Sequence, residues 1–291
     1  INFLIGCVKM NYSSTRNGSV EKTSKYAIAN GIGFWCGSIC AQAYDCGRFQ
    51  PLFSTRDFGF DERKYEWKGT AMNTIQQAMQ YAIVPVFYHD DEQVCKHVLQ
   101  ACYDGGIRIF EFTNRGKKAR DNFKSLRKMV SQSMPDLYLG VGSLITKDDA
   151  QFFIQNGADF LVSPIFSDPV WEVCLQQQVI YIPGCATPTE MGRAQAMGCE
   201  VTKLFPGEVF GAPMVAAIMA PMPWSKIMVT GGVMPHKENI EQWFNAGAYC
   251  LGMGSKLLSK ELILRQDWPA ITRQCQSCVH IVQEWLAKQG E

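Results

Sequence analysis

No apolar run in the chain approaches the roughly 18–20 residues that a membrane-spanning helix requires, which argues against a membrane protein. Charge of one sign is also missing. The 28 Lys+Arg and 27 Asp+Glu leave a formal net charge of +1, so no global field attracts nucleic acid or an anionic bilayer. Histidine is scarce, with only His89, His97, His236 and His280 in 291 residues. The Cys36/Cys40 spacing looks like half of a metal site, but no histidine precedes His89 to complete it.

Cysteine, by contrast, is abundant at 12 residues. Cys95, Cys102, Cys174, Cys185, Cys199 and Cys250 stand singly in apolar contexts, where a free thiol behaves as a small hydrophobe. Cys275 and Cys278 form a Cys-x-x-Cys inside the helical pattern Ile271–Ala287. With no second ligand pair following, they mark one helix face rather than a zinc or redox site. A reduced, cytoplasmic protein without a metal is the expectation.

The chain divides near Gly69. Residues 1–71 show no sustained period of 2 or 3.6 and are broken by Asn17-Gly18, Gly31-Ile-Gly33 and the stretch from Gly47 to Pro51. Met72-Asn-Thr-Ile-Gln-Gln-Ala-Met79 looks like a natural beginning, so residues 1–71 read as an irregular extension of unknown role. Leu4-Ile-Gly-Cys7 superficially matches a lipoprotein cleavage box, without the basic start and apolar run that precede one.

From Met72 the organisation is regular. Strand-like runs cover Ile83–Tyr88, Ile107–Thr113, Leu137–Ser143, Phe160–Pro164, Val179–Gly184, Val201–Phe205, Lys226–Gly232 and Tyr249–Gly254. Helical segments between them include Asp91–Asp104, Ala119–Ser131, Lys147–Asn156, Pro188–Met197, Ala212–Ala220 and Lys237–Ala246. Gly105, Gly157, Gly198 and Gly247 stand where helix C-caps require glycine. Eight near-even strand–helix units predict an α/β fold of the (β/α)8 TIM-barrel type over residues 72–291. A doubly wound sheet uses the same units but not this closure. Ile263–Lys288 supplies one or two further outer helices.

In such a barrel the C-terminal strand ends carry the site. Lys203 lies inside a strand, where a buried ammonium loses its proton or finds a partner. A neutral amine on a rigid strand is an imine-forming nucleophile; the alternative is an edge lysine reaching water. Period-2 alternation puts Ile107, Ile109, Glu111 and Thr113 on one face of the second strand, and Val201, Lys203 and Phe205 on one face of the sixth. Glu111 and Lys203 therefore point into the same interior, as a catalytic pair or as a bracing salt bridge. Thr230-Gly231-Gly232 and Gly252-Met-Gly254-Ser255 end the seventh and eighth strands, where barrels bind phosphate on backbone N–H groups and a helix N-terminus. Arg115 can hold a carboxylate bidentately, assisted by the Ser143 hydroxyl.

Together these residues resemble the 2-keto-3-deoxy-6-phosphogluconate (KDPG) / 4-hydroxy-2-oxoglutarate (KHG) aldolase family. The matching pieces run in order from about Met72 to Ser259. They include Ile83-Val-Pro-Val86, Gly106-Ile-Arg-Ile-Phe-Glu-Phe-Thr-Asn-Arg115, Gly140-Val-Gly-Ser143, Ile182-Pro-Gly-Cys-Ala-Thr-Pro-Thr-Glu190 and Lys203-Leu-Phe-Pro-Gly-Glu208. The resemblance implies a class I aldolase needing neither metal nor cofactor, with Lys203 as the Schiff-base lysine and Glu111 as the proton-transfer group. It further implies pyruvyl carboxylate contacts at Arg115 and Ser143, and a pocket lined by Pro164 and Phe205. The phosphate end falls at Thr230, Gly231, Gly232, Gly254 and Ser255. The implied substrate is a small 2-keto acid, phosphorylated in the KDPG case, and the implied assembly is a homotrimer. One departure stands out: some members place an arginine just after the first strand, where this chain has Tyr88-His-Asp90. Two rival readings remain at this stage. One is a phosphate-binding barrel isomerase or thiamine-phosphate-type synthase without an imine. The other is a non-enzymatic sugar-acid binding protein.

Overall fold

The computed structural model describes residues 70–290. The extension read over residues 1–71, with Cys7, Cys36, Cys40 and Cys46, lies outside the described residues except where the first helix begins. That helix, α1 (Thr70–Met79), leads into β1 (Ile83–Phe87), α2 (Glu92–Asp104), β2 (Ile109–Thr113), α3 (Ala119–Ser133) and β3 (Tyr138–Gly142). There follow α4 (Lys147–Gln155), β4 (Phe160–Val162), α5 (Asp168–Gln177), β5 (Ile180–Ile182), β6 (Gly184–Cys185), α6 (Pro188–Ala196) and β7 (Val201–Leu204). The chain ends with α7 (Gly207–Met219), β8 (Lys226–Thr230), α8 (Lys237–Asn245), β9 (Cys250–Met253), α9 (Lys260–Leu264) and α10 (Trp268–Gln289).

All pairings are parallel, in the order β5-β4-β3-β2-β1-β9-β8-β7-β6. β5 and β6 are two halves of one stave. Pro183 between them has no N–H to give to a ladder, yet its carbonyl accepts from the Lys203 N–H at 2.8 Å. Since β5 pairs with β4 and β6 with β7, the circuit closes into the eight-stave barrel that the strand–helix repeats predict.

Two apolar layers hold it together. Inside the ring lie Val84, Ile109, Phe160, Val162, Ile180, Ile182, Val201, Met228 and Cys250, and Ile75 and Met79 of α1 pack onto them. Outside, the opposite strand faces pack on the helices, as Phe110, Phe112, Phe123 and Phe153 do. Helix starts are fixed by side-chain acceptors. Asp91 accepts from the Gln93 and Val94 N–H groups ahead of α2. Thr187 and Glu190 form a reciprocal capping box on α6.

Gly105 is the C-cap of α2, as the sequence reading expects, with a φ of −78°; its lack of a side chain makes room, since a Cβ there would fall 2.4 Å from the Cys275 Cβ. The structure departs from the sequence reading elsewhere. Ile107 belongs to the outer layer, because it precedes β2 and follows the left-handed turn at Gly106 (φ 88°). α5 is not legible from the sequence: its apolar pattern is weak and Pro169 falls in its first turn. α7 begins at Gly207 rather than Ala212, its first turn set off by a bend at Gly211 (φ 71°, ψ 168°). α1 is helical from Thr70, where sequence pattern shows only a beginning at Met72. Cys275 and Cys278 are both buried thiols on α10, as the helix-face reading expects.

Met79 is fully buried against the barrel interior. Met79→Ala should lower the free energy of unfolding by about 2–5 kcal/mol, read from the urea midpoint. An unchanged midpoint would mean that α1 does not seal the barrel floor.

Candidate active site

β7 and β2 deliver the central pair. Lys203 and Glu111 are both buried polar residues, and Lys203 Nζ lies 3.5 Å from each Glu111 oxygen. Charge-assisted bonds settle nearer about 2.7–2.9 Å, so the amine is neighboured but not clamped. Beneath them, burial and then the Glu111 carboxylate push the Cys250 thiol well above its ordinary range, while Lys203 pulls it down. The Phe205 ring stands over the amine, its centroid 5.6 Å from Nζ, and is 36% exposed at the mouth.

The Glu111 carboxyl group can lie over the neighbouring strand because β3 carries glycine two residues beyond its register partner Gly140. A Cβ on Gly142 would fall 1.9 Å from Glu111 Oε1. Sequence alone places Gly142 only within the strand run Leu137–Ser143. Its signal is Gly140-Val-Gly142, two glycines with the same period as inward-facing residues: a Cβ on Gly140 would meet the Phe160 ring at 2.3 Å. On β9, Gly252 does the same for Thr230, whose Oγ1 would lie 2.3 Å from an added Cβ.

At the mouth, Arg115 Nε donates to Ser143 Oγ at 3.2 Å, so the structure brings this predicted pair together. Ser143 has φ 66°, a left-handed conformation unusual outside glycine. Pro164 stands exposed just after β4. Its carbonyl is crowded by Gly184, where a Cβ would approach within 2.1 Å. The Tyr181 hydroxyl secures that loop, accepting from the Ser167 N–H at 2.9 Å and donating to the Ile165 carbonyl at 3.3 Å.

The glycine turns occupy the neighbouring arc. Thr230 is buried with no hydrogen-bond partner for Oγ1. Gly231 and Gly232 take φ 97° and 71°. A Cβ on Gly231 would lie 3.1 Å from the Gly207 nitrogen and 1.9 Å from Glu208 Oε2, so glycine lets the start of α7 approach. The helix N-terminus at this end therefore comes from α7. Gly254 and Ser255 open a turn instead, with the Gly254 carbonyl accepting from the Leu257 and Leu258 N–H groups. Glu208, named in the sequence only as the end of a motif, brings a carboxylate to the same turn. Among the described residues no cluster of three or more His, Cys, Asp or Glu side chains is spaced to hold a metal.

Residues 75–274 match the family model for KDPG and KHG aldolase. A 2-dehydro-3-deoxy-phosphogluconate aldolase of Treponema pallidum is 31% identical over 213 residues, covering 72% of this chain and 99% of the relative. A KHG/KDPG aldolase of Escherichia coli is 25% identical over 73% of this chain and 96% of its own. The crystal structure of a KDPG aldolase from Legionella pneumophila, with pyruvate captured as a covalent carbinolamine, superposes with a TM-score of 0.65 at 26% identity. It covers 73% of this chain and 99% of that one.

Gly142→Ala should destabilise the fold by about 1–3 kcal/mol through overpacking. With Glu111 shortened to alanine, that penalty should largely vanish, as coupled neighbours require. Equal penalties in both backgrounds, read by urea unfolding, would mean the glycine makes room for something else.

Proposed function

The chain belongs to the KDPG and KHG aldolase family, and we propose that it cleaves the C3–C4 bond of a 4-hydroxy-2-keto acid through a Schiff base on Lys203. The reaction releases pyruvate, with glyceraldehyde 3-phosphate from KDPG or glyoxylate from KHG as the second product. The observation that carries this reading is the buried amine and carboxylate 3.5 Å apart at the open end of the barrel. As a structural brace such a pair is a poor stabiliser, because desolvating both charges offsets their attraction. As a reacting pair it has the groups that imine chemistry needs.

Lys203 gives a proton to Glu111 and adds through its neutral Nζ to the C2 carbonyl, the proton shed by nitrogen passing to the oxygen to give a carbinolamine. Glu111, now the acid, protonates the departing hydroxyl; water leaves and a protonated imine remains. That imine accepts the C3–C4 electron pair as Glu111, directly or through a water, takes the C4 hydroxyl proton and the aldehyde departs. The remaining enamine is protonated at C3, and water releases pyruvate and restores the amine. The Arg115 guanidinium, supported by Ser143, holds the substrate carboxylate. Pro164 and Phe205 line the pocket.

Thr230, Gly231, Gly232, Gly254 and Ser255 are read as the phosphate end. The left-handed glycines and the start of α7 beside them support this. We place residues 1–71 outside the catalytic unit, in keeping with a family match that starts at residue 75. Family resemblance supports a homotrimer, measurable by light scattering. Eight buried free thiols among the described residues favour a reducing, cytoplasmic setting.

Borohydride with pyruvate should fix a three-carbon adduct on Lys203, located by peptide mass spectrometry. An adduct elsewhere, or none, overturns the mechanism. Glu111→Gln should lower turnover by about 10²–10⁴-fold while pyruvate trapping persists. A kcat/KM at least roughly tenfold higher for a phosphorylated substrate than for its unphosphorylated counterpart, about 1.4 kcal/mol, would support the glycine turns as a phosphate site. Equal values would leave them as backbone geometry alone.

A further inference from the structure

The corner after β1 takes no part in the chemistry derived above, yet it is heavily built. Asn122, buried on α3, donates through Nδ2 to the carbonyls of His89 at 2.9 Å and Asp90 at 3.1 Å. The Cys95 thiol reaches the same His89 carbonyl at 3.1 Å. The Asp91 N–H donates to His89 Nδ1 at 3.0 Å. A buried amide spent on holding two loop carbonyls makes this corner rigid.

From it Tyr88 extends sideways. Its hydroxyl donates to Asp90 Oδ1. Its ring lies 5.7 Å from that of Phe112. The phenol meets the β2–α3 turn at Gly116, where an added Cβ would fall 2.1 Å from the hydroxyl oxygen and 2.6 Å from Cζ. Only glycine leaves this notch open. Gly116 directly follows Arg115, and the turn is tightened by the Arg115 N–H to the Thr113 carbonyl and the Ala119 N–H to the Gly116 carbonyl, both 3.0 Å.

We propose that Tyr88 is a positioning residue for the carboxylate clamp: wedged into the notch at Gly116, it fixes the turn that carries Arg115. An exposed arginine has many rotamers, and Ser143 restrains only its guanidinium end. Tyr88 restrains the backbone from the other side, so Arg115 presents its fork to an incoming carboxylate with less ordering left to do at binding. Burial, and then Asp90, push the phenol up to about 12, so it remains a donor across the neutral range.

The inference rests on the reading of Arg115 as the carboxylate contact, and the experiment separates the two. Tyr88→Phe keeps the ring and removes only the hydroxyl. It should raise the KM for the 2-keto acid, and the pyruvate half-saturation for borohydride trapping, by about threefold to tenfold, the range of one lost hydrogen bond. kcat should stay within about twofold, the pattern of a binding interaction made equally in ground and transition states. Trapping of hydroxyacetone, a ketone without a carboxylate, should be unchanged. Gly116→Ala should show the same signature more strongly. In an Arg115→Ala background Tyr88→Phe should have no further effect. Unchanged half-saturation in Tyr88→Phe, or an undiminished effect without Arg115, overturns the inference while leaving the clamp reading intact. If Arg115→Ala itself leaves the half-saturation for pyruvate unchanged, the clamp reading fails and the inference falls with it.

Discussion

The site is organised around the amine of Lys203 and the carboxyl group of Glu111, held 3.5 Å apart where water has little access. Burying two such groups is a poor way to gain stability alone, and each must be delivered from a different stave. Lys203 is set by the main chain: its own N–H is tied to the Pro183 carbonyl, at the break between β5 and β6. Glu111 is set by vacancy, because the missing side chain of Gly142 leaves its carboxyl group a place to lie.

Interior volume is thus the scarce quantity. An eight-stave barrel is filled by its own side chains, and any polar group admitted has to be offset by an omission nearby. Gly140 admits Phe160, Gly142 admits Glu111 and Gly252 admits Thr230. The first of these builds the apolar body, the other two the reactive end. Gly116 applies the same device outside the ring, where the missing side chain lets a phenol rest on a turn.

Most of the barrel could be read from period and punctuation. Alternation located Lys203 and Glu111 on inward faces because both lie well inside their strands. It failed for Ile107, one turn too early, where the backbone has not yet entered the pleat. The helix ends at Gly157, Gly198 and Gly247, each left-handed, are legible, whereas α5, with Pro169 in its first turn and a weak apolar face, is not. The first turn of α7 was hidden by its bend at Gly211, which also concealed the helix start beside Gly231. The Arg115–Ser143 contact followed from residue chemistry. The notch at Gly116 did not, because which ring fills a missing side chain is decided by loops distant in sequence.

The packing of Ile75 and Met79 beneath the strands gives the barrel a floor. That leaves the carboxyl-terminal strand ends as the way in. Under the proposed Schiff-base reading the aldehyde is free as soon as the C3–C4 bond breaks, while the three-carbon fragment stays bonded to Lys203. Release order then follows from the covalent tether: the aldehyde goes first, and in the reverse direction the keto acid must load before its partner.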